Sequence, residues 1–409
     1  MKNKDYLICG ARVWEPEMDA LAPLSTPLLV REGRVALLGA EAEQRAMQTQ
    51  MRRIDLPGRV IVPGLIDAHV HLELDPKLRT PADQLVVPDA ERDLGRAARA
   101  RAMLAAGITT ARDCGGGTHR EHALRDAIDA KEAIGPRLLC CGQPITTPDG
   151  HCAFWGGGIE SEGDLEVVMD RQISAQSDWI KVMVTGGVFT PGSSARDRQF
   201  ELPMLKRLVE RAGDSGRFVA AHCHGTPGIR DAVEAGIRTI EHASFAGEKG
   251  FGTDLDEGLM AEMAAASLWA SPTVNAGWGR RIEDDQGRPT DFFARMSRCL
   301  RLQKEAGVSF IASTDAGIPG VAHHALLDGL LAFARFAELS PVEVLRSATS
   351  ESALALGLTE ETGRVAVGHS ADLLILEEDP LESLEALRDP EIVVFRGEMH
   401  SREARAAWG

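Results

Sequence analysis

Two histidines one residue apart, His69 and His71, follow an apolar run that begins at Ile61. Successive side chains of a strand point to opposite faces, so these two imidazoles would share a face and could converge on one metal ion. The alternative is a polar strand end whose histidines only satisfy local hydrogen bonds. The pair alone favours neither interpretation, and the rest of the chain has to decide.

Four further polar side chains stand in or at the ends of apolar runs. Lys181 lies within WIKVMVTGG, His222 within AAHCHG, His242 within TIEHAS and Asp315 within ASTDAG. Each has a structural alternative, such as a packed core histidine or, for Asp315, a helix cap. Equivalent positions at the ends of several strands are explained more simply by one site than by six separate structural roles.

A two-metal hydrolytic site accounts for these residues. Nitrogen and oxygen donors of this kind suit Zn²⁺. One ion would be held by His69, His71 and Asp315, and a second by His222 and His242. Two such ions activate a bridging water and polarise a scissile carbonyl.

Lys181 would be buried beside two cations, where an ammonium group is costly. Carboxylation by CO₂ would convert it into an anion whose two oxygens could bridge the ions. Asp315 could both bind a metal and take the proton from the attacking water, then pass it to the leaving nitrogen. The prediction is therefore a water nucleophile, with Asp315 as the catalytic residue. A thiol nucleophile at Cys223 is the weaker alternative.

The elements that must position these residues alternate between short apolar runs and amphipathic stretches of 12–18 residues. Eight such units are the count and length of a (β/α)₈ TIM barrel, in which chemistry lies at the carboxyl ends of the strands. An open doubly wound sheet is possible, but the usual Gly-rich turn after its first strand is missing. The eight runs are Val60–Ala68, Gly107–Asp113, Arg137–Gln143, Trp179–Thr185, Phe218–His222, Thr239–His242, Leu268–Thr273 and Val308–Asp315.

The two ends of the chain have β character instead. The C-terminal strand candidates include Thr362–Val367, Asp372–Glu377 and Ile392–Arg396. They cannot bury their apolar faces alone, so we expect residues 1–62 and 358–409 to form one small β-sandwich domain. Residues 63–357 would form the barrel.

Composition limits the possible partners. The chain has 409 residues and a net charge of −16, which argues against nucleic acid and anionic membranes as partners. No window approaches a membrane span, and the N-terminus has no apolar run long enough for a signal peptide. The seven cysteines include no CxxC pair and predict reduced thiols in a cytoplasmic protein.

With these motifs, the chain resembles the amidohydrolase superfamily over its whole length. The segments PGLIDAHVHL and VGHSADLLIL are typical sequence motifs of that superfamily. The finer resemblance is to the imidazolonepropionase-like branch, which contains metal-dependent dipeptidases, prolidases and related amidases. Its recurring motifs stand here at Thr109–Gly116, Ile180–Gly187, His222–Gly225 and Thr314–Gly317. The resemblance implies six metal ligands, with an N-carboxylated lysine bridging two divalent ions. They are His69, His71, Lys181, His222, His242 and Asp315.

One departure narrows the reaction. Deaminases and mononuclear cyclic amidases of the superfamily usually carry HxxE after the fifth strand, where this chain has His222-Cys223-His224-Gly225. The missing glutamate favours a binuclear hydrolase of an amide, such as a dipeptide, an N-acyl amino acid or a xenobiotic amide. Hydrolysis of a carbamate, urea, lactone or other ester is the alternative, and a non-catalytic scaffold barrel is a remote one.

The sequence also offers candidate contacts for a small-molecule substrate. His151 would lie on the loop after the third strand, and His224 would share the strand face of His222. Arg198 and His323 follow the fourth and eighth strands. Trp155 and Phe189 could line an apolar pocket. The resemblance alone implies a homo-oligomer.

Overall fold

The computed structural model describes residues 5–15, 20–22 and 25–408. Residues 1–4 and 409, at the outer ends of the predicted sandwich domain, lie outside this part of the chain. Within it, no helix combines the length and apolar character needed to cross a membrane.

Eighteen strands occur among the described residues, most of them short. In chain order they are β1 (Tyr6–Cys9), β2 (Arg12–Glu15), β3 (Ala20–Leu21), β4 (Leu28–Arg31), β5 (Arg34–Leu38), β6 (Arg52–Asp55), β7 (Val60–Pro63), β8 (Leu65–Val70), β9 (Ile108–Asp113), β10 (Arg137–Cys140), β11 (Trp179–Met183), β12 (Phe218–Gly225), β13 (Thr239–Ala246), β14 (Trp269–Ser271), β15 (Ser309–Phe310), β16 (Leu373–Leu376), β17 (Ile392–Phe395) and β18 (Glu398–Ser401).

The helices fall mainly between β8 and β16, and short 3₁₀ turns occur at Ala153–Trp155 and Leu384–Leu387. In chain order the α-helices are α1 (Ala40–Thr49), α2 (Pro81–Leu85), α3 (Asp89–Ala105), α4 (Arg120–Asp129), α5 (Glu162–Ser174), α6 (Leu202–Asp214), α7 (Thr226–Glu234), α8 (Glu257–Ala265), α9 (Ala276–Gly279), α10 (Asp291–Glu305), α11 (Leu326–Ala337), α12 (Pro341–Ser347), α13 (Ser350–Leu356) and α14 (Arg402–Ala406).

Local sequence explains where several helices begin and end. Ser161 caps α5 by a reciprocal capping box with Asp164, which satisfies backbone N–H groups that the first turn leaves free. After α10 the chain leaves the helix through Gly307, whose φ of 88° suits glycine. A polar cap before the first turn of α5 and a glycine after the last turn of α10 therefore set these two helix ends.

The chain divides into two compact units. The first comprises the described residues of Met1–Ile66, Arg101–Thr110 and Ser340–Gly409, and the second comprises Asp67–Ala100 and Ala111–Leu339.

The first unit contains two sheets, one of N-terminal strands only and one that combines strands from both ends of the chain. Their strand orders are β5-β4-β1-β6 and β18-β17-β16-β7-β2-β3. Strand β16, near the C-terminus, is antiparallel to β7, with Ile375 opposite Ile61. Side chains of both sheets, including Tyr6, Ile8 and Val394, share one buried core.

One predicted strand of this unit is wrong. Thr362–Val367 forms turns rather than a strand. Gly363 has a φ of 86°, and a Cβ there would lie 2.5 Å from the Ala353 side chain. The chain therefore turns tightly against α13 at this point, although Val365 still enters the core.

The second unit carries the chemistry-bearing ends of the strands. Strands β11-β12-β13-β14-β15 form a parallel sheet, and β10-β9-β8 form a second sheet. Parallel bridges also pair Ile145, just after β10, with Val182 of β11, and Val70 of β8 with Ala316 beyond β15. The second unit is thus a mixed α/β structure in which backbone pairing continues beyond both ends of the five-stranded sheet.

Candidate metal centre

The predicted ligands stand on the strands as the sequence suggests. His69 lies in β8 with His71 just beyond it, Lys181 lies in β11, and Asp315 follows β15. Strand β12 carries His222 and His224, and β13 carries His242. Parallel strands bring their carboxyl ends to one edge, so these side chains can meet there.

We call His69, His71 and Asp315 the first cluster. The Nε2 atoms of the two histidines are 3.3 Å apart, and each is 3.4 Å from Oδ1 of Asp315. Four ligands in a tetrahedron around Zn²⁺, at about 2.0–2.1 Å, lie about 3.3 Å from one another. The three donor atoms therefore have the mutual spacing that one bound zinc ion requires.

Hydrogen bonds fix which nitrogen of each imidazole faces this point. Nδ1 of His69 donates to Oε2 of Glu241 at 2.7 Å, and Nδ1 of His71 donates to the Gly115 carbonyl at 2.7 Å. Both Nε2 atoms are left to face Asp315. Partners of this kind orient metal-binding histidines and raise their basicity.

Glu241 is fully buried and held from three sides. Besides His69, it accepts hydrogen bonds from Nη2 of Arg112 and from Oγ1 of Thr239, each at 2.6 Å. Burial alone would raise the pKa of Glu241, but Arg112 and His69 hold it well below its usual range. The carboxylate is therefore a permanent negative charge behind the first cluster.

Glu241 and His242 are consecutive, so regular alternation would send their side chains to opposite faces of β13. Both nevertheless reach the same site, since Glu241 contacts His69 and His242 contacts His222. His242 and Ala243 have φ values of 70° and 43°, which break the alternation. This local distortion was not predictable from the strand pattern.

We call His222, His224 and His242 the second cluster, whose donor atoms lie within 4.8 Å of one another. Nε2 of His242 is 2.8 Å from Nδ1 of His222, and Nε2 of His222 is 3.1 Å from the Gly186 carbonyl. His222 thus carries its proton on Nε2 and accepts a hydrogen bond from His242. Donor atoms of His242 also lie within 4.8 Å of those of His69 and Asp315, so His242 links the two clusters.

His224 joins this cluster as well as facing the cavity described below. Its ring stacks between those of His242 and Phe251, with centroids 4.3 and 4.8 Å away. Its Nδ1 is 2.8 Å from Oγ of Ser244. The structure therefore places His224 beside the predicted ligands, and its second ring nitrogen makes no other hydrogen bond within the described chain.

Lys181 is 1% exposed, and its Nζ lies 3.4 Å from Nε2 of His69. No carboxylate within the described residues forms an ion pair with it. A buried ammonium beside histidines is costly. An anionic form of the side chain would suit a position next to bound cations.

The charges of the site favour a cation at the first cluster and neutral imidazoles at the second. Burial opposes a charge on His69, but the Cys114 sulfur and the Asp315 carboxylate outweigh it and raise its pKa to about 9. Burial lowers the pKa values of His222 and His242 far below the usual range. Burial would raise the pKa of Asp315, but His69 and His71 keep it below its ordinary value, so the carboxylate is ionised at neutral pH.

A cavity of about 420 Å³ opens onto both clusters and is lined by Asp315, the second cluster and largely apolar side chains. Those apolar groups include Phe189, Phe251 and Trp278, and one cation, Arg79, also lines the cavity. A space of this size and character suits a small organic molecule.

The four predicted substrate contacts divide into two pairs. His151 and His224 line the cavity, and the ring of His151 lies 4.5 Å from that of His222. Arg198 instead pairs with Asp231 at 3.0 Å and lines a different cavity beside α7. His323 is buried, and its Nε2 donates to the carbonyl of His71 at 3.0 Å, so it supports the backbone of the first cluster.

The other residues that the sequence singled out also have defined places. Phe189 lines the cavity, whereas Trp155 packs against His71 with ring centroids 5.4 Å apart. Cys223 is buried in the apolar core, on the opposite strand face from His222, and burial raises its thiol pKa well above the usual value. Nothing in this placement favours a thiol nucleophile.

Sequence reasoning assigned no role to Glu241, Arg112 or Arg79. The first two were visible as charged residues inside apolar strands, TIEHAS and TTARD, where an unpaired charge is costly. The cost of two unpaired charges in apolar strands could have suggested that Arg112 and Glu241 form an ion pair. Arg79 lies on an irregular polar segment, DPKLRT, and nothing in its spacing marks it.

Comparison with known proteins agrees with this geometry. Residues 60–399 match the model of the amidohydrolase family. Ochratoxinase of Aspergillus niger is 26% identical over 402 residues, covering 90% of this chain and 81% of the ochratoxinase. Imidazolonepropionase of Chloroflexus aggregans is 26% identical and covers 86% of each chain.

The structure of a Xaa-Pro dipeptidase with bound methionine superposes with a TM-score of 0.83 at 23% identity, covering 97% of this chain and 100% of that one. This likeness shows a shared fold. The chain belongs to the amidohydrolase family. It is a hydrolase that acts on amide bonds, as the sequence predicts.

Proposed function

We propose that this enzyme hydrolyses amides of small molecules with two bound divalent ions, most simply Zn²⁺. The observation that carries the proposal is the first cluster, whose three donor atoms have the 3.3–3.4 Å spacing of ligands around one zinc ion. Three donor atoms held this close in a buried site are suited to binding one cation.

The first ion would be held by His69, His71 and Asp315, and the second by His222 and His242. Lys181 would join them after its Nζ adds to CO₂ and loses a proton, which leaves an N-carboxylate. The absence of an ion pair for this buried lysine among the described residues supports this modification. His224, already within the second cluster, is the alternative ligand there.

When bound, two such ions lower the pKa of a water molecule and polarise a carbonyl group. Asp315 is ionised and faces the cavity. It can therefore accept the proton of the attacking water and donate it to the departing nitrogen. His151 lines the cavity beside His222 and would contact the substrate carbonyl.

We further propose that residues 63–357 form a closed (β/α)₈ TIM barrel and that residues 1–62 with 358–409 form a β-sandwich domain. Two parallel bridges outside the regular strands, Ile145–Val182 and Val70–Ala316, support closure. The core shared by strands from both chain ends supports the sandwich. Homo-oligomerisation and a cytoplasmic location stay predictions from the sequence.

Metal analysis is the direct test. Protein produced with zinc supplied should contain about two zinc ions per chain and should hydrolyse members of a library of dipeptides, N-acyl amino acids and aryl amides. Removal of zinc by a chelator should abolish hydrolysis, and added zinc should restore it. Fewer than one ion per chain, or full activity without metal, would overturn the proposal.

The Lys181 modification has its own measurement. Lys181→Ala should lose the second ion, and short carboxylic acids such as acetate or propionate should restore part of the activity by replacing the missing carboxylate. A Lys181→Ala variant that keeps both ions would contradict the bridging role.

A further inference from the structure

Arg79 is the one cation among the described residues that line the cavity, and its guanidinium forms no ion pair or hydrogen bond with the rest of the described chain. The side chain is exposed. Arginine presents a planar fork of donors that matches a carboxylate. The chain has a net charge of −16, so most of its arginines can find a carboxylate partner. An arginine at the cavity without such a partner is available to bind an anionic ligand.

Nearby carboxylates do not satisfy Arg79, because they have other partners. Asp75 accepts from the Lys77 backbone at 2.9 Å and pairs with Arg99 at 3.3 Å. Asp83 is held by the backbone N–H and the hydroxyl of Thr80. The guanidinium of Arg79 is therefore left available to a bound molecule.

The backbone around Arg79 is nevertheless fixed. Thr80 caps α2 through a reciprocal capping box with Asp83. On the other side, the Pro76 carbonyl accepts a 2.8 Å hydrogen bond from the Gly320 N–H, which ties the segment to the loop after Asp315. An anchored backbone with an unpaired side chain is suited to ligand binding, because little further ordering is needed.

The charge balance of the lining supports the same conclusion. Among the described residues that line the cavity, Arg79 is the one permanent cation and Asp315 is the one carboxylate. Because Asp315 belongs to the first cluster, Arg79 provides the site for a negative group elsewhere on the substrate.

We propose that Arg79 binds a free carboxylate of the substrate while Phe189, Phe251 and Trp278 enclose an apolar group of aromatic size. The inference rests on the proposed amide hydrolysis and deepens it. It selects N-acyl amino acids and dipeptides with an apolar side chain over uncharged carbamates, ureas and esters. Arg79 is then a specificity-determining residue that acts at a distance from the scissile bond.

A matched substrate pair tests this assignment in the zinc-loaded protein. N-benzoylphenylalanine and its C-terminal carboxamide differ in the carboxylate alone. We expect the wild type to favour the acid in kcat/KM by about tenfold or more, mainly through KM. Arg79→Ala should raise KM for the acid and bring the preference close to one, while kcat changes little.

Two variants serve as matched comparisons. Arg79→Lys should recover part of the preference, because it keeps the charge without the fork. Lys77→Ala removes an exposed cation from the same segment that does not line the cavity, and should leave both substrates unchanged. Higher salt should raise KM for the acid in the wild type and have no such effect in Arg79→Ala.

Equal loss of activity on both substrates in Arg79→Ala, or no loss on either, would overturn the carboxylate site. If neither compound is hydrolysed, the proposed function fails for this pair, and the same compounds are then titrated as ligands. Acid binding that weakens about tenfold in Arg79→Ala, with carboxamide binding unchanged, would support the site independently. Unchanged acid binding would reject it.

Discussion

The two histidine clusters differ in how far they are prepared for a metal. In the first cluster, Glu241 and the Gly115 carbonyl hold the Nδ1 protons of His69 and His71, so both Nε2 atoms face one point. In the second cluster, His242 donates its Nε2 proton to His222, so two expected ligands bind each other. At the first cluster an ion has only to replace the proton that the raised pKa of His69 retains, whereas at the second cluster it must also break a hydrogen bond between two expected ligands.

The partners of the clusters differ as well. A buried carboxylate supports His69, whereas neutral hydroxyls of Thr273 and Ser244 contact His242 and His224. Hydrogen bonds that involve a charge are roughly twice as strong as neutral ones. The comparison therefore predicts one tight, ordered site and one weaker, more adaptable site in the same cavity.

Asp315→Asn should have the largest effect. The amide cannot accept a proton as the carboxylate does, and it is a weaker ligand for the first cluster. We expect kcat to fall by about 10³-fold, with thermal stability of the metal-free protein nearly unchanged. Steady-state kinetics and circular dichroism check this, and activity close to that of the wild type would remove Asp315 from the mechanism.

Glu241→Gln should come next, because it leaves the buried Arg112 without a charge partner. We expect the free energy of unfolding to fall by about 3 kcal/mol, and zinc affinity at the first cluster to fall by about 10–100-fold. Thr273→Val is the matched change at the second cluster, and we expect it to lower the free energy of unfolding by only about 1 kcal/mol. If both variants lowered the free energy of unfolding and the zinc affinity equally, the buried carboxylate behind the first cluster would give no advantage over the hydroxyl behind the second.

Zinc titration of the metal-free protein should show two steps. The tighter step belongs to the first cluster and should disappear in His71→Asn, whereas His222→Asn should remove only the weaker one. We expect the two affinities to differ by at least about tenfold, which calorimetry resolves. A single step of two equivalent sites would contradict the comparison.

The smallest effect concerns pH and the histidine that supports the first cluster. Burial lowers the pKa of His323 to about 3, below the value of about 6.5 expected in the unfolded chain. Between these values the unfolded state binds a proton that the folded state does not, so stability falls as pH falls, by about 1.4 kcal/mol per unit.

His323→Gln keeps a donor for the His71 carbonyl and removes the titration. Urea unfolding of zinc-free protein at pH 7, 6 and 5 should therefore show a shallower loss of stability in the variant than in the wild type. If the free energy of unfolding fell equally with pH in both proteins, His323 would not be the source of the pH dependence.

Much of the architecture was predictable because it depends on local patterns. Alternating apolar and amphipathic stretches predicted the helices after β8. The strand ends predicted that His69 would meet Asp315 and that His222 would meet His242. The failure at Thr362–Val367 has a local cause, since Gly363 turns the chain where β-favouring residues suggested a strand.

The site was less predictable wherever position depends on broken periodicity or on an irregular segment. Glu241 and His242 cannot both face the site in a regular strand, so no alternation rule would have selected both. Arg79 reaches the cavity from a segment fixed by the Thr80 cap and the Pro76–Gly320 hydrogen bond. Neither relation is encoded in the spacing of chemically reactive residues.

The left-handed backbone at the site links the stability of the folded chain to its bound ions. His242, Asp315 and Thr273 have φ values of 70°, 58° and 53°, a conformation that costs a non-glycine residue about 1 kcal/mol. Ions that bind only the folded chain raise its free energy of unfolding by an amount that grows with the logarithm of their free concentration. Metal supply would then set the lifetime of this protein against proteolysis as well as its catalytic rate, so that zinc-starved chains are the first to be cleared.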